Sequence, residues 1–219
     1  MKILALSDVE CAALWDNYVD GCLAEYGLIL ACGHLKSEYL SFLVTMARCP
    51  VLYVPGEDDD YKENLPEGCD CIDDHLLVYN GVRILGLGGS VKLKNGEHRY
   101  TDYQMARRVA KLHHKIKRLG GLDVVVCHTP PKGLGDGAEP DEQGFPCFLE
   151  LMELYSPKYL LHGHIRPKYT PGFGTLRREH THQDTTVVNV WERCTIEVPD
   201  KEFKEKYRNQ LIWKTRHKD

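Results

Sequence analysis

The chain has 219 residues, enough for one sizeable domain or two small ones. At 42% hydrophobic and 27% charged its composition is that of an ordinary globular protein, and a formal net charge of -4 gives no electrostatic case for nucleic acid as a partner. The opening MKILALSD is too short an apolar run for a spanning helix or a secretory leader, and nine cysteines without a CxxC argue against a disulfide framework or a zinc ribbon, so a soluble protein with reduced thiols in a cytoplasm is expected.

In chain order, Lys2–Leu6 reads as a buried strand with Ser7-Asp8-Val9-Glu10 at its end. Cys11 to Tyr26 reads as a helix, with Leu14, Trp15, Tyr18 and Leu23 facing inward. Leu28–Cys32 is a second apolar strand closed by Gly33-His34. Glu38–Arg48 carries Leu40, Leu43, Val44 and Ala47 at helical spacing, and Val51–Val54 is a third strand, stopped by Pro55-Gly56 and followed by Glu57-Asp58-Asp59-Asp60. This alternation of strand and helix predicts parallel strands with helices packed on them.

Farther on, Leu76–Tyr79 and Val82–Leu87 flank Asn80-Gly81, a strong hairpin signal. The glycines of GLGGS (Gly86, Gly88, Gly89) do not fit a dinucleotide loop and predict close backbone approach. Tyr100–Leu119 is a long helix whose second half collects Arg107, Arg108, Lys111, Lys115, Lys117 and Arg118. That is either a phosphate-binding face or a solvated surface suited to the helix dipole. Leu122–Cys127 is a buried strand ending at His128-Thr129-Pro130-Pro131, then come a glycine-rich loop over Lys132–Gln143 and a helix over Phe145–Tyr155. Tyr159–Leu161 runs into His162-Gly163-His164-Ile165-Arg166. Thr185–Val190 and Cys194–Val198 suggest a closing hairpin. Residues 1–198 are thus expected to form one domain, followed by a charged tail, 199–219, in which Phe203, Tyr207, Leu211 and Trp213 offer docking contacts.

Five strands therefore end in a metal-ligating residue type: Asp8, His34, Glu57, His128 and His164. Singly each has a plain structural reading, as a helix cap, a hydrogen-bonded histidine or a solvated acid. Together they gather carboxylates and imidazoles where parallel strands end, a set suited to Zn, Mn, Fe or Ni.

On these residues the chain resembles the calcineurin-like metallophosphoesterases, over Met1 to about Val198. That family carries Asp-x-His, Gly-Asp, Gly-Asn-His-Asp or -Glu, a His often followed by Pro, and Gly-His-x-His. The corresponding stretches here are Asp8-Val9-Glu10, Gly33-His34, Gly56-Glu57-Asp58-Asp59, His128-Thr129-Pro130-Pro131 and Gly163-His164-Ile165-Arg166. The resemblance implies an α/β fold, a two-sheet sandwich flanked by helices, and two metals about 3.5–4 Å apart clamping a phosphoester for in-line hydrolysis. It makes Asp8, Glu10, His34, Glu57, His128 and His164 the expected ligands and a small phosphorylated molecule the expected substrate.

The chain departs from the pattern in ways that matter chemically. His34 stands where a carboxylate bridges two metals, and imidazole cannot bridge them at that spacing. Arg166 stands where a histidine would ligate, and guanidinium has no lone pair to give. One ion is therefore expected, held by His34, Glu57, His128 and His164, with Arg166 as a surrogate cation for phosphate. Alternatively, Asp8, Glu10 and Arg166 form an ion pair without metal. Asp58 replaces the leaving-group histidine and would act as an acid only if Glu57 and Asp59 raise its pKa. The activity expected is weak phosphoester hydrolysis; the competing reading is an inactive module that binds a phosphorylated ligand or partner.

Overall fold

A computed structural model of the protein describes residues 1–167 and 178–199, together with the backbone of 209–210. Its first half contains β1 (Lys2–Ser7), β2 (Leu28–Ala31), α1 (Ser37–Met46), β3 (Val51–Tyr53), β4 (Asp70–Cys71), β5 (Leu76–Tyr79) and β6 (Val82–Leu87). The second half contains β7 (Ser90–Val91), β8 (Arg99–Tyr100), α2 (Asp102–Leu119), β9 (Val124–Cys127), α3 (Cys147–Tyr155), β10 (Tyr159–His162), β11 (Glu179–His182), β12 (Thr185–Asn189), β13 (Glu192–Glu197) and β14 (Asn209–Gln210).

Two mixed sheets result, one in the order β13-β1-β2-β3-β4 and one in the order β11-β12-β10-β9-β6-β5-β14, with β7-β8 as a separate small pair. The alternation of side chains along each strand explains how they stack. Ile3, Ala5, Leu28 and Leu30 of the first sheet face Ile84, Val124, Val126 and Leu161 of the second in one shared core. The intervening residues point outward: Leu4, Leu6, Ile29 and Ala31 meet Tyr39, Leu40 and Leu43 of α1. Leu85, Val125, Cys127 and Leu160 meet Met105, Leu112, Phe148 and Leu151 of α2 and α3. Buried on both faces, these strands need the unbroken apolar runs seen in the sequence. The fold is the expected α/β sandwich, with a helix outside one sheet and two outside the other.

Local chemistry sets the element ends. Asn80 and Gly81 both adopt positive φ, 46° and 77°, as the tight turn between β5 and β6 demands. The Thr101 side chain accepts the Gln104 N–H while Gln104 accepts the Thr101 N–H in return, a reciprocal cap that starts α2. The glycine expectation also holds: a Cβ on Gly86 would collide with the Ile72 carbonyl oxygen.

Two expectations are corrected. The 11–26 connection holds only a three-residue 3-10 turn, Ala12–Leu14, and then tight turns, because Asp16-Asn17 and Asp20-Gly21 are turn formers and Gly21 takes φ 82°. Leu14 and Leu23 are still buried there. The closing hairpin does not form: β12 lies parallel to β10, while β13 crosses to the other sheet and pairs antiparallel with β1, from Lys2↔Glu197 to Ser7↔Glu192. Glu192, at φ 65°, redirects the chain, and β12 makes its hairpin with β11 instead. Of the two readings given for the basic half of α2, the solvated surface holds for most of it, since Arg107, Lys111, Lys115, Lys117 and Arg118 are exposed. Of the tail, the backbone of β14 pairs with β5; Phe203, Tyr207, Leu211 and Trp213 lie outside the described residues.

Arg108 is the exception on α2. Its side chain is 8% exposed, pairs with Asp73 and Asp74, donates to the Gly88 carbonyl at 2.9 Å and stacks on Tyr100. The shared acceptor Asp73 also takes the Gly88 N–H at 2.6 Å, so one buried guanidinium fastens α2 to the strand exit after β6. Arg108→Met leaves two carboxylates and a carbonyl without their donor and should lower unfolding stability by about 3 kcal/mol. Urea denaturation measures this; a loss below about 1 kcal/mol would show that the network does not hold the helix in place.

Candidate metal centre

Because β1, β2 and β3 run parallel, as do β9 and β10, the residues that follow them collect at one rim of the sandwich. The two sheets meet there. The Asp8 carboxylate accepts the His164 N–H at 3.0 Å, and His128 Nδ1 lies 2.6 Å from the Cys32 carbonyl oxygen. Asp8, His34 and His164 each take positive φ, at 66°, 56° and 66°. That conformation is disfavoured for non-glycine residues, and such strain concentrates at functional sites. Gly163 makes the packing possible, since a Cβ there would strike Ser7 Oγ and Asp8 Oδ2.

Glu57 sits at the centre. Its Oε2 lies 2.8 Å from His128 Nε2 and 3.4 Å from His34 Nε2, its Oε1 lies 3.4 Å from His164 Nδ1, and the two ring nitrogens His164 Nδ1 and His128 Nε2 are 3.2 Å apart. The tautomers follow from the outer hydrogen bonds. His128 Nδ1 faces the Cys32 carbonyl and His164 Nε2 lies 2.6 Å from the Asp141 carbonyl, so in the neutral rings both protons point outward. Lone pairs on His128 Nε2 and His164 Nδ1 then face a carboxylate. For this reason the 2.8 Å approach of His128 to Glu57 brings two acceptors together, and Glu57 Oε2 and His34 Nε2 remain buried without a hydrogen-bond donor. A cation resolves the conflict.

The donor set fits a metal ion. Ligands held about 2.0–2.1 Å from a tetrahedral ion stand about 3.3 Å apart, and the observed separations of 2.8 to 3.4 Å bracket that figure. Among the described residues three overlapping groups could each hold an ion: Glu57 with His128 and His164, Asp8 with His34 and His128, and His34 with Glu57 and Asp58. The first combines one carboxylate and two imidazole nitrogens, of the buried His128 and the half-buried His164, whose outer N–H groups are already anchored. His34 adjoins that group through Glu57, so the four expected ligands are neighbours, but His34 belongs to the two flanking groups.

Protons compete for the same position. Burial alone would raise the Glu57 carboxyl, but the imidazoles of His128 and His164 outweigh it and hold the group well below the usual carboxylate range. Burial pulls His34 down, yet Asp8 on Nδ1 with Glu57 and Asp59 nearby lifts it to about 9. His164 is likewise lifted, with Glu57 overcoming the effect of burial. Either a metal ion or protons on these rings must supply the positive charge.

The remaining expected residues are placed differently. Glu10 belongs to none of the three groups among the described residues; its Oε1 accepts the Lys36 N–H at 3.2 Å. Asp58 is largely exposed and its Oδ1 accepts from Arg99 Nη2 at 2.6 Å, an ion pair at the position expected to act as an acid. Arg166 is exposed and lines a separate cavity; among the described residues it forms no ion pair with Asp8 or Glu10, so the metal-free ion pair is not seen. Sequence reasoning missed two contributors. Asp59 accepts the N–H groups of His34 and Gly56 at 2.9 and 2.7 Å, pinning two ligand turns together. The Asp141 carbonyl fixes His164, and nothing in the sequence marks a backbone acceptor.

No family model and no curated protein matches the chain. Solved structures do. One aligns over 87% of this chain and 90% of its own at 16% identity, with a TM-score of 0.62. The crystal structure of TT1561 of Thermus thermophilus aligns over 87% of this chain and 89% of its own at 17% identity, with a TM-score of 0.57. At such identities the likeness is one of fold.

The raised His34 value has a definite sign. Its contribution to stability is complete below the unfolded value of 6.5 and is lost as pH rises through about 9. In metal-free protein, the stability gap between wild type and His34→Gln should therefore shrink between about pH 6.5 and 9.5, read from urea midpoints. A gap constant across that range would mean that His34 is not held as an imidazolium.

Proposed function

We propose that the chain is a metal-dependent phosphoesterase with one transition-metal ion, held by Glu57, His128 and His164 with His34 beside it. One observation carries the reading: the lone pairs of two anchored imidazoles converge on a buried carboxylate. The order of strand-end residues resembles that of the calcineurin-like metallophosphoesterases, and the αββα sandwich is consistent with that resemblance. Bound at this place, the ion would supply Lewis acidity toward a phosphoryl oxygen.

The chain's own residues have separable tasks. Cys32 and Asp141, through their carbonyls, hold the two imidazoles in the ligating tautomer. Asp8 and Asp59 hold the His164 and His34 turns by their backbone N–H groups. A cleft of about 520 Å³ opens beside the cluster, with Glu10, Asp58, Asp59 and Asp60 on its walls together with Lys36. A phosphoester is anionic and is repelled by such a wall unless the ion is present, so metal and substrate should bind interdependently.

A second reading, a phosphate-binding module without turnover, is favoured by the Asp58–Arg99 pair. That pair engages the side chain expected to protonate the leaving group with a guanidinium instead.

Metal analysis of purified protein and hydrolysis of an aryl phosphate with added Mn test both readings. One equivalent of metal is expected, with slow turnover abolished by EDTA and Glu57→Gln lowering metal affinity at least about tenfold. Two tightly held equivalents would sink the one-ion site. Turnover confined to a variant carrying His34→Asp, Glu57→Asn, Asp58→His and Arg166→His would favour the binding module.

A further inference from the structure

A second cavity, of about 320 Å³, has Gly133, Gly135, Asp136, Arg166, Arg178 and His180 on its walls. Two guanidinium groups share this small space. Arg178 is fixed, its Nη1 donating to the carbonyls of Trp191 at 3.1 Å and Arg193 at 3.3 Å, neither of which cancels its charge. Arg166 is exposed, and among the described residues no carboxylate pairs with it or with Arg178. The one acid on the wall, Asp136, uses Oδ2 to accept the Gly144 N–H at 3.2 Å. The floor is set by Asn189, whose Nδ2 donates to the Ile165 carbonyl at 2.8 Å and whose Oδ1 accepts the Trp191 N–H at 3.0 Å. Two cations on the walls of one cavity repel, and an anion lying between them removes that cost.

The chemistry of the wall narrows the anion. A planar guanidinium fork takes two oxygens of one group, and a phosphate has oxygens enough to serve both arginines at once, where a carboxylate has only two.

We propose that this cavity is a phosphate-binding site, with Arg178 as the fixed contact and Arg166 as the solvent-exposed one. The inference does not depend on the metal centre, and its test is run without metal. In EDTA, titration calorimetry of the full chain with inorganic phosphate should show binding at about millimolar or tighter. Arg166→Gln should weaken it at least about fivefold, as should Arg178→Gln, while Glu57→Gln leaves it unchanged. Arg166 is exposed, so its variant remains informative even if Arg178→Gln folds poorly. No binding, equal affinity in Arg166→Gln, or a loss in Glu57→Gln would overturn the proposal. A substrate with two phosphates that shows a lower KM than its monophosphate, with the difference erased by Arg166→Gln, identifies the occupant as part of the substrate. Equal KM values, with calorimetric binding intact, identify it as a separate phosphorylated effector.

Discussion

The structure turns on a carboxylate that faces the wrong sides of two imidazoles. Glu57 lies against His128 Nε2 and His164 Nδ1, while the protons of those rings are directed to the Cys32 and Asp141 carbonyls. An arrangement of buried acceptors aimed at one another is costly unless a positive charge lies among them. The surrounding fold enforces it all the same, with three ligand-bearing turns at positive φ and Asp59 tying the His34 turn to the one that carries Glu57. Strain and unsatisfied lone pairs at one place are what a site organised for a cation requires.

That place is also the joint between the sheets. Asp8 follows β1 of one sheet and grips the backbone of His164, which follows β10 of the other; His128, after β9, reaches the carbonyl that follows β2. The apolar interior alone would let two twisted sheets settle at several neighbouring offsets, since hydrophobic packing is not directional. The hydrogen bonds across the rim select one offset, so the geometry of the ligands and the alignment of the sandwich are fixed together.

Charge is divided between two faces of the rim. Acids crowd the cleft beside Glu57, whereas Arg166 and Arg178 share the wall of the other cavity. The 163–167 turn separates these roles within a few residues: His164 faces the carboxylate, and Arg166, two positions on, lines the basic space. A chain whose net charge is only -4 thus keeps local fields of both signs close together, which net composition does not reveal.

By itself the sequence determined the apolar strands, the Asn80-Gly81 hairpin, the parallel order of β1, β2 and β3, and the collection of His34, Glu57, His128 and His164 at one rim. Those features are local or periodic: apolar runs name buried strands, and a residue placed just after a parallel strand must emerge at the same edge as its counterparts. Tertiary structure decided what depended on distant partners. Residues 192–197 abandon a hairpin with their neighbours for β1 at the other end of the chain, and the 11–26 segment gives up a helix for turns that still bury Leu14 and Leu23. It also decided where long polar side chains point. Glu10, Asp58 and Arg166 occupy the expected motif positions, but their flexible stems follow the Lys36 N–H, Arg99 and a second cavity, and motif spacing places a Cα without saying which neighbour will claim the charge.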